Sequence, residues 1–278
     1  MAVFSNNKVR LHYYTYGKGP EAMLAFHGFG MKGTQFSVLE SAFAERYTIY
    51  SFDLFFHGHT ELLESSLEVI RRGLHSSEFG SYIAEFMQEM GFKKVSLLSY
   101  SMGALMALSI IEQLGNKVDH AYFIAPDGIR PNTLLQIGSR NIIINRLFYK
   151  LVYSPKTVNL ILNSLLKYRY IDDPLYRILR GEFGTEASRL TCYQVITYFA
   201  GLRFDKTKLA DIINRNRIST YFYFGKTDRL FPPSIGREFS AMLENSSLHI
   251  LNTGHELVNE GLAEIITSHL QLVQYDPR

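Results

Sequence analysis

The sequence predicts an α/β protein with a mostly parallel sheet of eight strands, flanking helices and a helical insertion. Short continuous apolar runs, typical of strands buried on both faces, alternate with segments of helical spacing over most of the chain. The alternation stops between residues 129 and 205, where only helical periodicity is found. Strands and helices alternating at this spacing predict parallel strands joined by right-handed crossovers.

The composition is that of a globular protein and excludes several functional classes. A net charge of +3 over 278 residues is too slight to predict a nucleic-acid partner. Cys192 is the single cysteine, so the chain has neither an intrachain disulfide nor a cysteine metal cluster. The N-terminal residues are polar, and no apolar run is long enough for a bilayer. We therefore expect a cytoplasmic protein without stable membrane insertion.

The first half of the chain begins with a hairpin and continues with buried strands. A turn at Asn6 and Asn7 separates its first two strand-like runs, and Gly17 to Pro20 then breaks the chain. The strands expected up to residue 125 are 2–4, 9–16, 22–26, 47–52, 94–99 and 121–125. The helices expected between them are 35–45, 81–90 and 103–114.

Sheet-like sequence resumes after residue 205. Two further strands are expected at 220–225 and 248–251, with helices at 211–216, 232–243 and 257–273. The block between the two sheet-like parts has helical pieces near 139–153, 156–169, 174–182 and 187–200 and a net charge of about +6. We therefore predict a core domain of residues 1–128 and 206–278, with residues 129–205 as an inserted helical cap.

The segment Ser99-Tyr100-Ser101-Met102-Gly103 lies between a buried strand and a helix. Only a very tight turn fits there, with Ser101 at its tip, which is the geometry of a nucleophile elbow. Small residues are needed two positions before and after the tip, because the strand and helix backbones pass closely. Gly103 meets this requirement, whereas Ser99 departs from the usual G-x-S-x-G pattern.

Three residue types that together perform nucleophilic catalysis follow three of the predicted strands. Ser101 is the nucleophile candidate, Asp228 follows a later strand, and His255 follows the last one. The carboxyl ends of parallel strands share one edge of a sheet, where open α/β sheets place their sites. A serine hydroxyl needs a base, and the imidazolium that forms needs a carboxylate. Asp127 also follows a strand and is the alternative carboxylate.

The order Ser, acid, His resembles that of the α/β-hydrolase fold superfamily, specifically its lid-bearing serine esterases and meta-cleavage-product hydrolases. The motifs that carry the resemblance are His27-Gly28-Phe29-Gly30, Ser99 to Gly103, Gly225-Lys226-Thr227-Asp228 and Gly254-His255. The segment from Asp53 to Thr60 is similar to the superfamily's D-x-x-G-x-G-x-S turn, with Phe56 in place of the first glycine. The tip residue Ser101 disfavours the aspartate-nucleophile relatives.

The resemblance implies roles for further residues. The backbone N–H groups of Phe29 and Met102 are expected to form an oxyanion hole. We expect His27, Gly28 and Tyr100 to contribute to substrate binding, with His27 shaping the loop by hydrogen bonding rather than reacting. His57 and His59 near Asp53 are not predicted to bind a metal, because two histidines need further ligands. No cofactor is expected.

The predicted function is hydrolysis of a carboxylic ester or related acyl bond in a small molecule, through an acyl-enzyme. Two alternatives remain: a C–C bond hydrolase acting on a dienoic keto acid, and a non-catalytic small-ligand receptor of the same fold. The basic cap suggests the further hypothesis that substrates are anionic. The apolar stretch 141–150 of the cap suggests either an acyl-sized pocket or contact with a membrane surface.

Overall fold

The structure is a computed structural model that describes residues 1–130, 141–170 and 173–274. The strands are β1 Ala2–Ser5, β2 Val9–Tyr16, β3 Glu21–Phe26, β4 Tyr47–Phe52, β5 Glu61–Leu62, β6 Val95–Tyr100, β7 Val118–Ile124, β8 Ser219–Gly225 and β9 Ser246–Leu251. They form a sheet with the order β1-β2-β4-β3-β6-β7-β8-β9, in which β5 also pairs with β2.

The sheet is antiparallel at one edge and parallel elsewhere. Strand β2 pairs antiparallel with β1, β4 and β5, whereas β4, β3, β6, β7, β8 and β9 pair in parallel. The fold class is as predicted. The ninth strand is the two-residue β5, which lies in a segment without a strand pattern and exists only through its pairing with β2.

The chain divides into two compact units. The first comprises described residues within 1–63, 75–131 and 202–278, and the second those within 64–74 and 132–201. Residues 64–74, which the sequence pattern assigns to the core domain, thus group with the helical unit. The predicted cap also includes residues 131–140 and 171–172, among them Arg140 and Asp172, which lie outside the described residues.

The helices of the first unit flank the sheet on both faces. They are α1 Glu40–Phe43, which follows a 3-10 helix at Gly33–Leu39, then α3 Ser76–Glu89, α4 Ala104–Leu114, α9 Lys206–Arg215, α10 Pro233–Ser240 and α11 Glu260–Gln274. Alternating strand residues point to opposite faces. Leu98 and Ile124 therefore join a cluster with Leu39 and Ile266 on the α1 and α11 face, whereas Phe26 meets Phe79 of α3 on the other.

The second unit is helical. Its elements are α2 Leu67–Arg72, α5 Ile142–Val152, α6 Pro155–Lys167, α7 Asp173–Glu182 and α8 Glu186–Phe199. Polar bonds join α2, α5 and α8: Nε of Arg71 and the hydroxyl of Tyr193 both donate to Oδ1 of Asn145, and Nε of Arg189 donates to the carbonyl of Val152. In the part of the chain that the structure describes, no helix is long and apolar enough to cross a bilayer.

Candidate active site

Ser101 occupies the tip of a strained turn between β6 and α4. Its φ is +51°, in the left-handed region that a residue with a side chain seldom adopts. A Cβ at Gly103 would lie 2.0 Å from the carbonyl oxygen of Phe26, so only glycine fits there. Ser99, in place of the usual glycine, is fully buried and its hydroxyl donates to the carbonyl of Tyr122. The turn therefore accepts serine at that position.

The three side chains that the sequence singles out lie in hydrogen-bonding contact. The hydroxyl of Ser101 donates to Nε2 of His255 at 3.1 Å, and Nδ1 of His255 donates to Oδ2 of Asp228 at 2.7 Å. The Asp228 side chain is fully enclosed, whereas that of His255 is one-quarter exposed. A buried carboxylate thus orients an imidazole whose second nitrogen faces a serine hydroxyl.

The structure pairs His255 with Asp228 rather than with Asp127. The second oxygen of Asp228 accepts the backbone N–H groups of Leu230 and Phe231, at 2.9 and 3.0 Å. Asp127 instead accepts the N–H of Gly128 at 2.7 Å. Burial raises the pKa of the Asp127 carboxyl, and the Gly128 bond opposes that rise in part. Among the two candidate carboxylates, only Asp228 holds the imidazole.

Gly225 allows the loops of Asp228 and His255 to meet. A Cβ at Gly225 would lie 2.0 Å from the carbonyl oxygen of Gly254. The N–H of Thr227 donates to the carbonyl of Thr253 at 3.1 Å, just before that glycine. The two backbones can run this close only because position 225 has no side chain. This contact sets the separation of the carboxylate and the imidazole.

The loop after β3 passes close to Ser101. A Cβ at Gly28 would lie 2.8 Å from the ring of Tyr100 and 3.5 Å from Cβ of Ser101. Among the described residues, no hydrogen-bond acceptor is found for the N–H of Phe29 or of Met102. Both groups are therefore available to a ligand, as expected of oxyanion-hole donors.

Two neutral histidines connect this loop to the turn after β4. Nδ1 of His27 donates to the carbonyl of Gly28, and its Nε2 accepts the N–H of Leu54 at 2.9 Å. His57 repeats the pattern, since its Nδ1 donates to Phe55 and its Nε2 accepts the N–H of Gly30. Each ring therefore needs one nitrogen without a proton, and a charged imidazole would break a bond.

The surroundings of both rings keep them neutral. Burial, and secondly the nearby His57, lower the pKa of His27 to about 3. Burial also lowers the pKa of His57. His27 has no exposed surface and both ring nitrogens are engaged, so any contribution it makes to substrate binding is indirect, through the loop backbone.

The turn after β4 is organised by Asp53 and by a strained residue. The carboxylate of Asp53 accepts the N–H groups of Gly33 and His59, at 2.8 and 2.9 Å. Phe56 has a φ of +65°, so it adopts the left-handed conformation for which the related turn uses glycine. In the described parts of the chain, no group of three or more His, Cys, Asp or Glu side chains could hold a metal ion.

Tyr100 supports the histidine from beneath. Its hydroxyl donates to the backbone carbonyl of His255 at 2.9 Å, and the two rings lie 5.3 Å apart at 30°. Burial and, secondly, the carboxylate of Asp228 raise the pKa of the Tyr100 phenol, which therefore remains a donor. The Tyr100 side chain is almost fully buried, and it contacts His255 rather than solvent. Its predicted role in substrate binding stays a prediction.

Comparisons with known proteins agree with the fold. A family model of the α/β-hydrolase fold matches residues 21–148. An esterase structure from Thermogutta terrifontis superposes with a TM-score of 0.68 at 14% identity, covering 96% of this chain and 94% of that one. An enol-lactonase from Burkholderia xenovorans LB400 superposes with a TM-score of 0.67 at 11% identity, covering 98% and 100%. The chain has the α/β-hydrolase fold.

A curated relative is similar over a shorter stretch of the chain. The dihydrolipoyllysine-residue acetyltransferase component of the acetoin cleaving system of Cupriavidus necator is 27% identical over 120 residues. These are 43% of this chain and only 30% of that protein, so the chain spans less than a third of the relative's length in the match.

Some contacts of this candidate site cannot be predicted from the sequence. Oε1 of Gln35 accepts the N–H of Gly28 at 3.2 Å, and the backbones of Leu230 and Phe231 hold Asp228. Backbone donors leave no residue-type signal, and Gln35 stands in an ordinary helical pattern. The segment around His57 is recognisable from its resemblance to the superfamily turn. That resemblance does not reveal that His57 accepts the N–H of Gly30.

Proposed function

We propose that this α/β-hydrolase is a serine hydrolase that cleaves a carboxylic ester or related acyl bond through an acyl-enzyme. The observation that carries the proposal is the continuous chain of hydrogen bonds from Asp228 through His255 to Ser101 on a strained elbow. The names of two proteins of similar fold, an esterase and an enol-lactonase, both denote cleavage of an ester bond.

In the acylation step, the hydroxyl oxygen of Ser101 attacks the carbonyl carbon of the ester while its proton moves to Nε2 of His255. Asp228 keeps the Nδ1 proton in place and stabilises the imidazolium. The tetrahedral oxyanion accepts hydrogen bonds from the N–H groups of Phe29 and Met102, for which no acceptor is found among the described residues. The imidazolium then returns its proton to the leaving alkoxide as the carbon–oxygen bond breaks, and an alcohol departs.

In the deacylation step, water takes the place of the alcohol. His255 removes a proton from the water, whose oxygen attacks the acyl carbon. The resulting oxyanion uses the same two N–H groups, and collapse of the intermediate returns the proton to Oγ of Ser101. The products are a carboxylic acid and the regenerated enzyme. No group beyond these residues and water is required for the atoms and protons to balance.

The test is labelling by a fluorophosphonate and turnover of p-nitrophenyl esters of graded acyl length. Ser101→Ala and His255→Ala should each abolish both. The matched controls are Ser109→Ala, a buried serine whose hydroxyl bonds within α4, and His75→Ala at an exposed position. Both controls should keep wild-type labelling and turnover.

The outcomes separate the alternatives. Labelling of Ser101 without ester turnover, together with cleavage of a dienoic keto acid, would replace ester hydrolysis by C–C bond hydrolysis. A folded wild type that is neither labelled nor active would favour the receptor and would remove the proposed mechanism.

A further inference from the structure

The first two long helices of the second unit expose an unusual concentration of apolar side chains. Among the described residues, sixteen large apolar side chains are exposed, and nine of them lie between residues 142 and 170. The nine are Ile142, Ile143, Ile144, Leu147, Tyr153, Leu160, Ile161, Tyr168 and Tyr170. Scattered exposed apolar residues are ordinary, but a contiguous concentration of them marks an interaction surface.

The charges of the same segment are all positive. Between Asp127 and Asp172 the sequence contains seven Lys or Arg residues and no Asp or Glu. Five of these lie in the described stretch 141–170, and all five are exposed: Arg146, Lys150, Lys156, Lys167 and Arg169. No ion pair of these five is found within the described residues. Their charge is therefore not neutralised by the part of the chain that the structure describes.

Helix α5 combines both features on one face. Ile143, Arg146, Leu147 and Lys150 follow the i, i+3, i+4, i+7 spacing that places side chains in one stripe, and all four are exposed. The opposite stripe packs inward, since Asn145 and Val152 are buried and bonded to other helices of the unit. The outward stripe thus alternates branched aliphatic residues with cations.

Helix α6 repeats this arrangement. Lys156, Leu160 and Lys167 lie on one face by their spacing and are exposed, while Val158 and Leu162 are buried. Lysine and arginine stems can lie along an apolar surface while the charged ends reach a polar layer. A helix with basic residues beside exposed aliphatic ones is the type that lies in a membrane interface.

We propose that the outward faces of α5 and α6 bind the surface of an anionic lipid bilayer. Two copies of the chain meeting through these faces would bring eight like charges together, those of Arg146, Lys150, Lys156 and Lys167 from each copy, which opposes self-association. A lipid surface accepts the aliphatic side chains at the acyl boundary, while its anionic headgroups neutralise the cations. Exposed tyrosines such as Tyr168 and Tyr170 suit the same boundary, because their rings are amphipathic. The inference is independent of the proposed ester hydrolysis.

The experiment is sedimentation of the full chain with vesicles of phosphatidylcholine alone or of phosphatidylcholine mixed with phosphatidylglycerol. Binding is expected only to the anionic vesicles, and high salt should weaken it. Each cation near a lipid surface is worth about fivefold in affinity, so Arg146→Gln with Lys150→Gln should weaken binding more than about tenfold. Ile143→Ser with Leu147→Ser should weaken it also in low salt.

Matched variants in the first unit provide the controls. Lys206→Gln with Lys208→Gln removes two exposed cations, and Val3→Ser with Leu63→Ser removes two exposed apolar side chains. Both should bind anionic vesicles as the wild type does, and circular dichroism should show all four variants folded. Equal loss in the control variants, or no binding of the wild type to anionic vesicles, would overturn the proposal. Sedimentation velocity tests self-association. If the wild type forms a dimer that Ile143→Ser with Leu147→Ser abolishes, and if the wild type binds no vesicles, the face serves self-association instead.

Discussion

The Nε2 atom of His57 accepts the backbone N–H of Gly30 at 3.1 Å. This bond joins the turn after β4 to the loop that carries Phe29, so a buried residue with both ring nitrogens engaged holds the loop of a proposed oxyanion-hole donor. Positioning of such donors matters because small displacements weaken the bonds made only in the transition state.

His57→Ala should therefore lower kcat by about tenfold with little change in KM, since the lost bond loosens the loop without removing the Phe29 N–H. His57→Gln keeps an acceptor oxygen and should restore part of the rate. The measurement is ester turnover for the wild type and both variants. Equal kcat in the wild type and His57→Ala would show that the loop is held without this bond.

Asp228→Asn should lower kcat by about 10³- to 10⁴-fold and leave the melting temperature nearly unchanged. The amide oxygen can still accept the N–H groups of Leu230 and Phe231, but the amide nitrogen then faces Nδ1 of His255. The ring is driven to the tautomer whose Nε2 carries the proton and cannot receive that of Ser101. Asp127→Asn is the matched control and should lower kcat by less than about tenfold. A larger loss of kcat in Asp127→Asn than in Asp228→Asn would mean that Asp127, rather than Asp228, is the carboxylate that orients His255.

Gly103→Ala should destabilise the protein by about 3 kcal/mol or more, because the new Cβ would lie 2.0 Å from the carbonyl of Phe26, which belongs to a central strand. Gly181→Ala is the control. Among the described residues, no atom outside the helix's own backbone lies within 4 Å of a Cβ built there, and in helix α7 alanine should add up to about 1 kcal/mol of stability. Urea unfolding of both variants tests the difference. A soluble Gly103→Ala variant with wild-type stability would mean that the elbow backbone can move aside.

The stacked pair His249 and His269 should make stability fall with acidity. The rings lie 3.7 Å apart between β9 and α11. Burial, and secondly His269, lower the pKa of His249 to about 4, and burial lowers the pKa of His269. The unfolded chain binds the proton first, so stability is fully present above about pH 6.5 and declines as the pH falls toward 4.

His249→Phe keeps a ring on Tyr223 and His269 but cannot be protonated, so it should flatten that decline. Urea unfolding between pH 7 and pH 5 measures the slope for wild type and variant. Part of the slope should remain, because the lowered pKa of His27 acts in the same direction. An identical slope in His249→Phe would mean that the pair does not contribute to the pH dependence.

The sequence by itself determined which residues reach the site. Ser101, Asp228 and His255 each follow a strand of the parallel part of the sheet, and the carboxyl ends of parallel strands meet at one edge whatever the details of packing. The glycine at 103 and the serine at the turn also follow from local sterics, because strand and helix must reverse within two residues. These are short-range requirements that a pattern of residue types can express.

The tertiary structure alone decided which of these residues touch. Asp228 rather than Asp127 reaches His255 because Gly225 lets one loop backbone approach Gly254, a contact between segments 29 residues apart. The same holds for β5, for residues 64–74 and for the bond from His57 to Gly30. Each depends on the close approach of chain segments that are remote in sequence, and such an approach is set by packing rather than by local preference.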